Sequence, residues 1–284
     1  MGESKGTRSE VFSTIIMKFA KKKRGARLGQ HFLTGQWAAK KLAESARFQP
    51  GETILEIGPG KGALTRELLA TGAHVVAVEK DPLLVEQLQR VFPEEITSGM
   101  LTVVENDVRN VSAKTLGLKK YVLAANIPYY ITGEIIRQFL TADIQPRAMA
   151  LLVQKEVAER IVARDGKESI LSLSVKAYGT PKIVAKVSRG NFSPPPSVDS
   201  AILLVGDISK KFFDGLDERH FFKAVKAGFA SKRKFLSSNL AATFGKDAVA
   251  RAFEACDLSP KVRAEDVSLS MWKEIAKALS VGHK

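Results

Sequence analysis

The stretch "LAANIPYYITG", Leu123 to Gly133, leaves an apolar run on Asn126 and continues through Pro128 to Tyr129 and Tyr130. A plain turn needs only Gly, Asn or Asp. A strand-to-helix turn whose tyrosines cover the core edge would account for these residues taken alone. The same residues also suit a specific chemistry. The exocyclic amine of a nucleobase is a poor nucleophile because its lone pair is delocalised into the ring. Two acceptors on the amine hydrogens, the Asn126 side-chain oxygen and the Ile127 backbone carbonyl, would draw the nitrogen toward tetrahedral geometry and free that pair for a methyl group. Pro128 holds the turn rigid, and Tyr129 offers a face for stacking, worth roughly 1–3 kcal/mol per base. "NFSPPPSVDS" (191–200) supplies a second wall. Three successive prolines can form neither helix nor central strand, so they fix a stiff loop that displays Phe192. The simpler role for Phe192 is a core contact held by a rigid turn. A base enclosed between the two rings must be unstacked from its strand. No Ser/His/Asp set or metal-ligand cluster is visible in the sequence. Catalysis would rest on positioning and electrostatics.

A donor site lies upstream. "EIGPGKGA" (56–63) fits G-x-G-x-x-G/A, and Glu79 follows at the spacing of an acid that binds ribose hydroxyls. Gly58 and Gly60 bring the backbone close to a ligand. Pro59 removes one of the N–H donors that a pyrophosphate needs. Glu56 places a carboxyl group beside the loop, repelling phosphate and attracting the ammonium and sulfonium of S-adenosylmethionine. It also suits a plain strand-end acid. Asp107 is placed to accept from an adenine amine, with Val108 against the ring, or to cap the segment that follows; the two roles are compatible.

These residues sit where strands should end. "TILEI" (53–57), "HVVAVE" (74–79), "LTVVEND" (101–107), "YVLAAN" (121–126) and "AMALLVQ" (148–154) read as buried strands alternating with helical segments. That pattern predicts an α/β, doubly wound, Rossmann-like sheet, whose ligand crevice lies at the carboxyl ends of its strands. "KIVAKVS" and "SVDSAILLV" suggest a hairpin adding an antiparallel strand at the sheet's edge. After Ile208 the pattern turns wholly helical, through "ERHFFKAVKAGFASKRKFLSSNLAATF", "DAVARAFEACD" and "MWKEIAKALS". The expected division is a basic, flexible arm over 1–26, a catalytic domain over 27–207 and a small all-α domain over 208–284.

The chain has 284 residues and a net charge of +14. Residues 1–30 hold eight Lys/Arg against two acids and residues 206–284 fifteen against ten, leaving 21 against 18 between them. Lys223, Lys226, Lys232, Arg233 and Lys234 form an acid-free run. Basic regions flanking a near-neutral core point to a polyanion such as nucleic acid, although such a run also suits a solvated helix face. The single cysteine, Cys256, excludes an internal disulfide. No apolar run approaches the roughly 20 residues that span a bilayer. In "VFSTIIMKFA" (11–20) the basic cluster follows the apolar part, the reverse of a secretory signal. A cytoplasmic protein without a membrane partner is expected.

Taken together, "LGQHFL" (28–33), "LEIGPGKGALT" (55–65), Glu79, "ENDV" (105–108), "NIPYYIT" (126–132), "QKEVAERI" (154–161) and "FSPPPSVDSAIL" (192–203) resemble, in order, the motifs of the KsgA-type small-subunit rRNA adenine dimethyltransferases. The likeness continues more loosely into "SKRKFLSSNL" (231–240) and "RAEDVSL" (263–269). It implies dimethylation of N6 on two adjacent adenosines in a hairpin loop near the 3′ end of small-subunit rRNA. S-adenosylmethionine would be the donor and a 30S-like particle the acceptor, with the enzyme a monomer. It also implies a sheet of the class I methyltransferase kind, cofactor contacts from His31 and Leu33 along with Gly58, Glu79, Asp107 and Asn126, and rRNA contacts from the helical domain. Tyr130 and Gly133 depart from the family's usual "NLPYNIST". Two other functions fit the motifs: a large-subunit rRNA methyltransferase of the macrolide-resistance type, and a non-catalytic assembly factor on the same fold. A nicotinamide oxidoreductase would need a loop better suited to phosphate.

Overall fold

The computed structural model describes residues 31–280. The arm over 1–26 and the first residues of "LGQHFL" lie outside them. The sequence's apolar runs form the strands β2 (Thr53–Ile57), β3 (His74–Glu79), β4 (Leu101–Glu105), β5 (Tyr121–Asn126) and β6 (Met149–Gln154). β2, β3, β5 and β6 are almost fully buried, as parallel strands covered on both faces require, whereas the edge strand β4 buries only Leu101 and exposes Thr102 and Glu105. With β7 (Thr180–Val187) and β9 (Ser200–Gly206) they make a seven-stranded sheet in the order β4-β3-β2-β5-β6-β9-β7.

The order runs outward from β2 in opposite directions through β3 and β5, so the switch point lies between β2 and β5. The parallel register pairs Ile57 with both Val78 and Ala125, and Glu79 with Glu105. The carboxyl ends of β2, β3, β4 and β5 therefore stand side by side. The late strands do form a hairpin, but it is its antiparallel member β9 that pairs with β6, and β7 takes the edge. A two-residue strand, β1 (Phe32–Leu33), pairs with β8 (Phe192–Ser193), tying residue 32 to residue 193.

Among the described residues, seven α-helices precede the C-terminal segment: α1 (Gln36–Ser45), α2 (Ala63–Leu69), α3 (Pro82–Val91), α4 (Pro93–Thr97), α5 (Thr132–Leu140), α6 (Lys155–Val162) and α7 (Ile170–Lys176). Asp81 caps α3 by accepting from Leu83 N (3.0 Å), with Pro82 as its first residue. Ser169 and Ser172 cap α7 reciprocally.

Two compact units result, and one boundary differs from expectation. The sheet unit runs to Glu159 and resumes over Gly179–Ser209; the helical unit takes Arg160–Tyr178 as well as the chain from Lys210 on. Tyr178 explains the assignment. Its hydroxyl donates to Glu218 Oε1 (2.7 Å) and its ring lies 5.1 Å from that of Phe213. The Glu168 N–H likewise donates to Glu265 O (2.8 Å).

Within the helical unit follow α8 (Glu218–Gly228), α9 (Leu236–Phe244), α10 (Lys246–Ala255) and α11 (Leu269–Ser280). The long helical reading over 218–244 is thus broken after Gly228, where close packing requires glycine. A Cβ there would stand 2.3 Å from Trp272 Cη2 and 2.6 Å from Leu236 Cδ1. Trp272 is fully buried and stacks on Phe229 at 5.7 Å, so it cannot yield. Alanine normally gains up to about 1 kcal/mol over glycine in a helix. Overpacking costs about 1–3 kcal/mol and wins at these distances. Gly228→Ala is therefore expected to lower unfolding free energy by about 1–2 kcal/mol in denaturant titration; a neutral or stabilised variant would contradict this packing.

Candidate functional site

A cavity of about 290 Å³ opens at the aligned strand ends. It brings together His31, Gly58, Gly60, Glu79, Asp107, Val108, Asn126, Ile127, Pro128 and Tyr129 from the sequence reading, and adds Phe32, Lys80, Arg109 and Tyr130.

The glycine loop leaves β2 through residues that need left-handed backbone. Gly58 and Gly60 have φ of 65° and 57°, and a Cβ at Gly60 would press on Phe32 at 3.1 Å. Glu79 organises this loop. Its Oε2 accepts from Gly60 N (3.1 Å), and its Oε1 accepts from Lys80 N (2.7 Å) and Asp81 N (3.0 Å). Oε2 keeps one lone-pair direction for a hydroxyl donor.

Asp107 begins the turn after β4 and takes the capping role, accepting from Arg109 N (3.0 Å). It also accepts from Arg109 Nε (2.9 Å) and Nη2 (2.5 Å) and from Lys80 Nζ (2.9 Å). The Arg109 guanidinium above all, with its backbone N–H and Lys80, holds the Asp107 carboxyl well below the usual range. Behind it, Gln138 Nε2 on α5 donates to Val108 O (2.8 Å) and Val111 O (2.9 Å), fixing the wall that carries Val108.

Asn126 ends β5 with its amide oriented. Nδ2 donates to the His31 carbonyl (3.1 Å), which leaves Oδ1 as the free end of the group. His31 Nδ1 is in turn 2.7 Å from Pro194 O. The rings of His31 and Tyr129 lie 5.9 Å apart, tilted by 33°. The Tyr129 hydroxyl is 2.7 Å from Ser200 Oγ on β9, and burial pushes its pKa up.

Three expected site residues are not in the cleft. Leu33 and Phe192 pair across the β1–β8 ribbon and belong to the hydrophobic core, at 7% and 4% exposure. The proline motif therefore contributes through scaffolding: Pro194 holds His31, Phe192 pins Leu33, and Ser200 holds Tyr129. Phe32, whose neighbour Leu33 was favoured, faces the cleft, because successive strand residues point to opposite sides.

Glu56 is the third. It is 1% exposed, and neither carboxyl oxygen has a hydrogen-bond partner. The nearby Thr65 hydroxyl favours the charged form but forms no hydrogen bond of good geometry. Burial, reinforced by Glu79, pushes the Glu56 pKa up to about 8. Glu56 is mostly neutral at pH 7, so it does not repel phosphate as expected; Pro59 and the acids lining the cleft remain as the features unfavourable to a pyrophosphate. The folded protein keeps a proton on Glu56 that the unfolded chain releases above 4.5, so this group's contribution to stability falls as pH rises from 4.5 to about 8. Glu56→Gln is expected to flatten the pH dependence of Tm across that window, its advantage over the parent growing toward the upper end. A Tm difference independent of pH would show that Glu56 does not titrate as described.

The basic run lies in the helical unit. Lys223 and Lys226 are exposed on α8, Lys223 with its Nζ 5.2 Å from the Phe244 ring. Lys232, Arg233 and Lys234 occupy the turn before α9, followed by Phe235 at 42% exposure. Asn239 shapes that turn, donating through Nδ2 to Gly228 O (2.7 Å) and Ser231 O (2.9 Å), and Arg263 Nη1 donates to Lys232 O (3.1 Å).

Residues 21–280 match the family model described as ribosomal RNA adenine dimethylase. The chain is 40% identical over 252 residues to the ribosomal RNA small subunit methyltransferase A of Dehalococcoides mccartyi strain CBDB1, covering 87% of this chain and 86% of the relative. The Clostridioides difficile protein of the same name is 33% identical over 279 residues, covering 95% and 94%. Among solved structures, a 23S rRNA methyltransferase, ErmE, matches with a TM-score of 0.71 at 25% identity, covering 88% of this chain and 99% of the other. A Plasmodium falciparum dimethyladenosine transferase shares the fold with a TM-score of 0.74 at 23% identity, covering 86% and 96%. Among the described residues, no helix is long and apolar enough to cross a membrane.

Proposed function

The chain belongs to the ribosomal RNA adenine dimethylase family, and from that premise we propose that it dimethylates N6 of two adjacent adenosines in the 3′-terminal hairpin loop of small-subunit rRNA. The acceptor is a 30S pre-ribosomal particle in the cytoplasm, and the enzyme works as a monomer. The observation that carries the reading is the Asn126 amide, whose nitrogen is committed to His31 O and whose oxygen is left as acceptor.

S-adenosylmethionine supplies an electrophilic methyl group. The cleft suits it: Glu79 Oε2 keeps an acceptor direction for a ribose hydroxyl, and Ile57, Val78, Leu84, Val108 and Ile131 give apolar walls for a purine and a thioether. Gly58 and Gly60 admit the ligand close to the backbone, and Asp107 and Val108 serve the adenine end.

The chain's own residues then act on the acceptor. Asn126 Oδ1 and the Ile127 carbonyl accept the two amine hydrogens and redirect the nitrogen lone pair. Tyr129 lies beneath the base, its ring held by Ser200 and flanked by His31. His31 replaces Phe192 as the neighbouring ring. Burial raises the Tyr129 pKa, so its hydroxyl is not a base; the nitrogen, cationic once bonded to the methyl group, then releases its proton to solvent water. Lys223, Lys226, Lys232, Arg233 and Lys234 engage rRNA phosphates from the helical unit, and exposed Phe235 adds a stacking face to the turn.

Labelled methyl transfer to unmethylated 30S and 50S particles tests the reading. Label on 30S, recovered as N6,N6-dimethyladenosine, is the expected result; label on 50S would move the protein to the ErmE-like activity, and label on neither would favour a non-catalytic assembly role. Removing one preorganised polar group of this kind typically costs about 10²–10³ in rate. Asn126→Ala should lose that much in single-turnover methylation, and full activity would refute the amide's role.

A further inference from the structure

The proposed function asks Asp107 to accept from the cofactor's adenine amine, yet its carboxylate is already full. Oδ1 carries the Arg109 backbone N–H and Nε, and Oδ2 carries Arg109 Nη2 and Lys80 Nζ. A carboxylate offers about four lone-pair directions, so an adenine amine needs one of these donors to leave. The backbone N–H is fixed by the turn. The two side chains are not: Lys80 and Arg109 are 64% and 49% exposed. Arg109 alone holds a position on each oxygen, so its departure frees both while Lys80 still neutralises the charge.

We propose that Arg109 is a latch on the adenine-recognition carboxylate, drawn off by a backbone phosphate of the acceptor RNA, so that cofactor and RNA strengthen each other's binding. This rests on the function proposed above. Arg109 stands at the edge of the same cavity as Asn126 and Tyr129, and Tyr130 and Glu134, on the segment that follows the acceptor loop, also act on it electrostatically. Its planar fork grips phosphate oxygens as readily as a carboxylate, and the phosphate is charged and arrives only with substrate. Before RNA binds, the latch withholds the adenine contact. After it binds, Asp107 is released beside a cation that still holds it. Because the coupling is thermodynamic, it acts equally in both directions.

Equilibrium dialysis of labelled S-adenosylhomocysteine tests the latch, with and without unmethylated 30S particles, using the full chain, Arg109→Met and the double variant with Asp107→Asn. A hydrogen bond to a charged group contributes enough that Arg109→Met alone should bind the ligand roughly threefold to tenfold more tightly. The gain should vanish on the Asp107→Asn background. Particles should tighten binding by the parent protein and have little further effect on Arg109→Met. Unchanged or weaker binding by Arg109→Met would overturn the latch, and equal tightening of both proteins by 30S would overturn the phosphate as its opener. A parent protein that bound no S-adenosylhomocysteine in either condition would overturn the proposed function and the latch with it.

Discussion

The hydrogen bond from Asn126 to the His31 carbonyl joins residues 95 apart in sequence, and the whole cleft depends on it. It sets which end of the amide can act on a substrate, and it brings the segment 31–33 over the strand ends to form a wall. The partner that holds this segment from the other side is the proline motif, through the β1–β8 pairing and the Pro194 carbonyl. Both anchors in turn require the parallel register of β2 and β5, because only that register places Asn126 beside the glycine loop. The acceptor chemistry proposed for this site is thus local to one amide, while its geometry is a property of the entire sheet.

Of the acids at this end of the sheet, the fold treats Glu79, Asp107 and Glu56 each differently. Glu79 is satisfied by backbone N–H groups, which at the same time shape the loop. Asp107 is held by two cations that remain in contact with solvent. Glu56 has neither and is kept neutral by burial. Charge inside the cleft is therefore concentrated where side chains can exchange partners, and the layer beneath stays electrically quiet. This division explains why a strand-end acid that looks functional in the sequence need not meet a ligand.

The sheet was legible because its strands are continuous apolar runs between polar ends: "TILEI", "HVVAVE" and "YVLAAN" match β2, β3 and β5 residue for residue. Asn126, Tyr129 and Glu79 were legible for the same reason, since strand ends in this architecture face the crevice. Leu33 against Phe32 was not, because a two-residue strand carries no alternation long enough to set its phase. Phe192 was misplaced because a stiff loop fixes where a ring starts but not which way it turns. Lys80 and Arg109 were missed because exposed cations beside an acid look like ordinary surface. The allegiance of residues 160–178 to the helical unit has no local signature at all: it is carried by Tyr178 meeting Glu218 and Phe213, partners that lie beyond the last strand.

The reach of the β1–β8 ribbon has a consequence for how the protein is made. Its first strand leaves the ribosome before its partner, which follows only after 160 further residues have been added. Until then His31 has no Pro194 to hold it and Tyr129 has no Ser200. Contacts so distant in sequence are entropically slow to close. A truncated product ending before the proline motif carries the glycine loop and Asn126 without the walls that complete the proposed reaction centre.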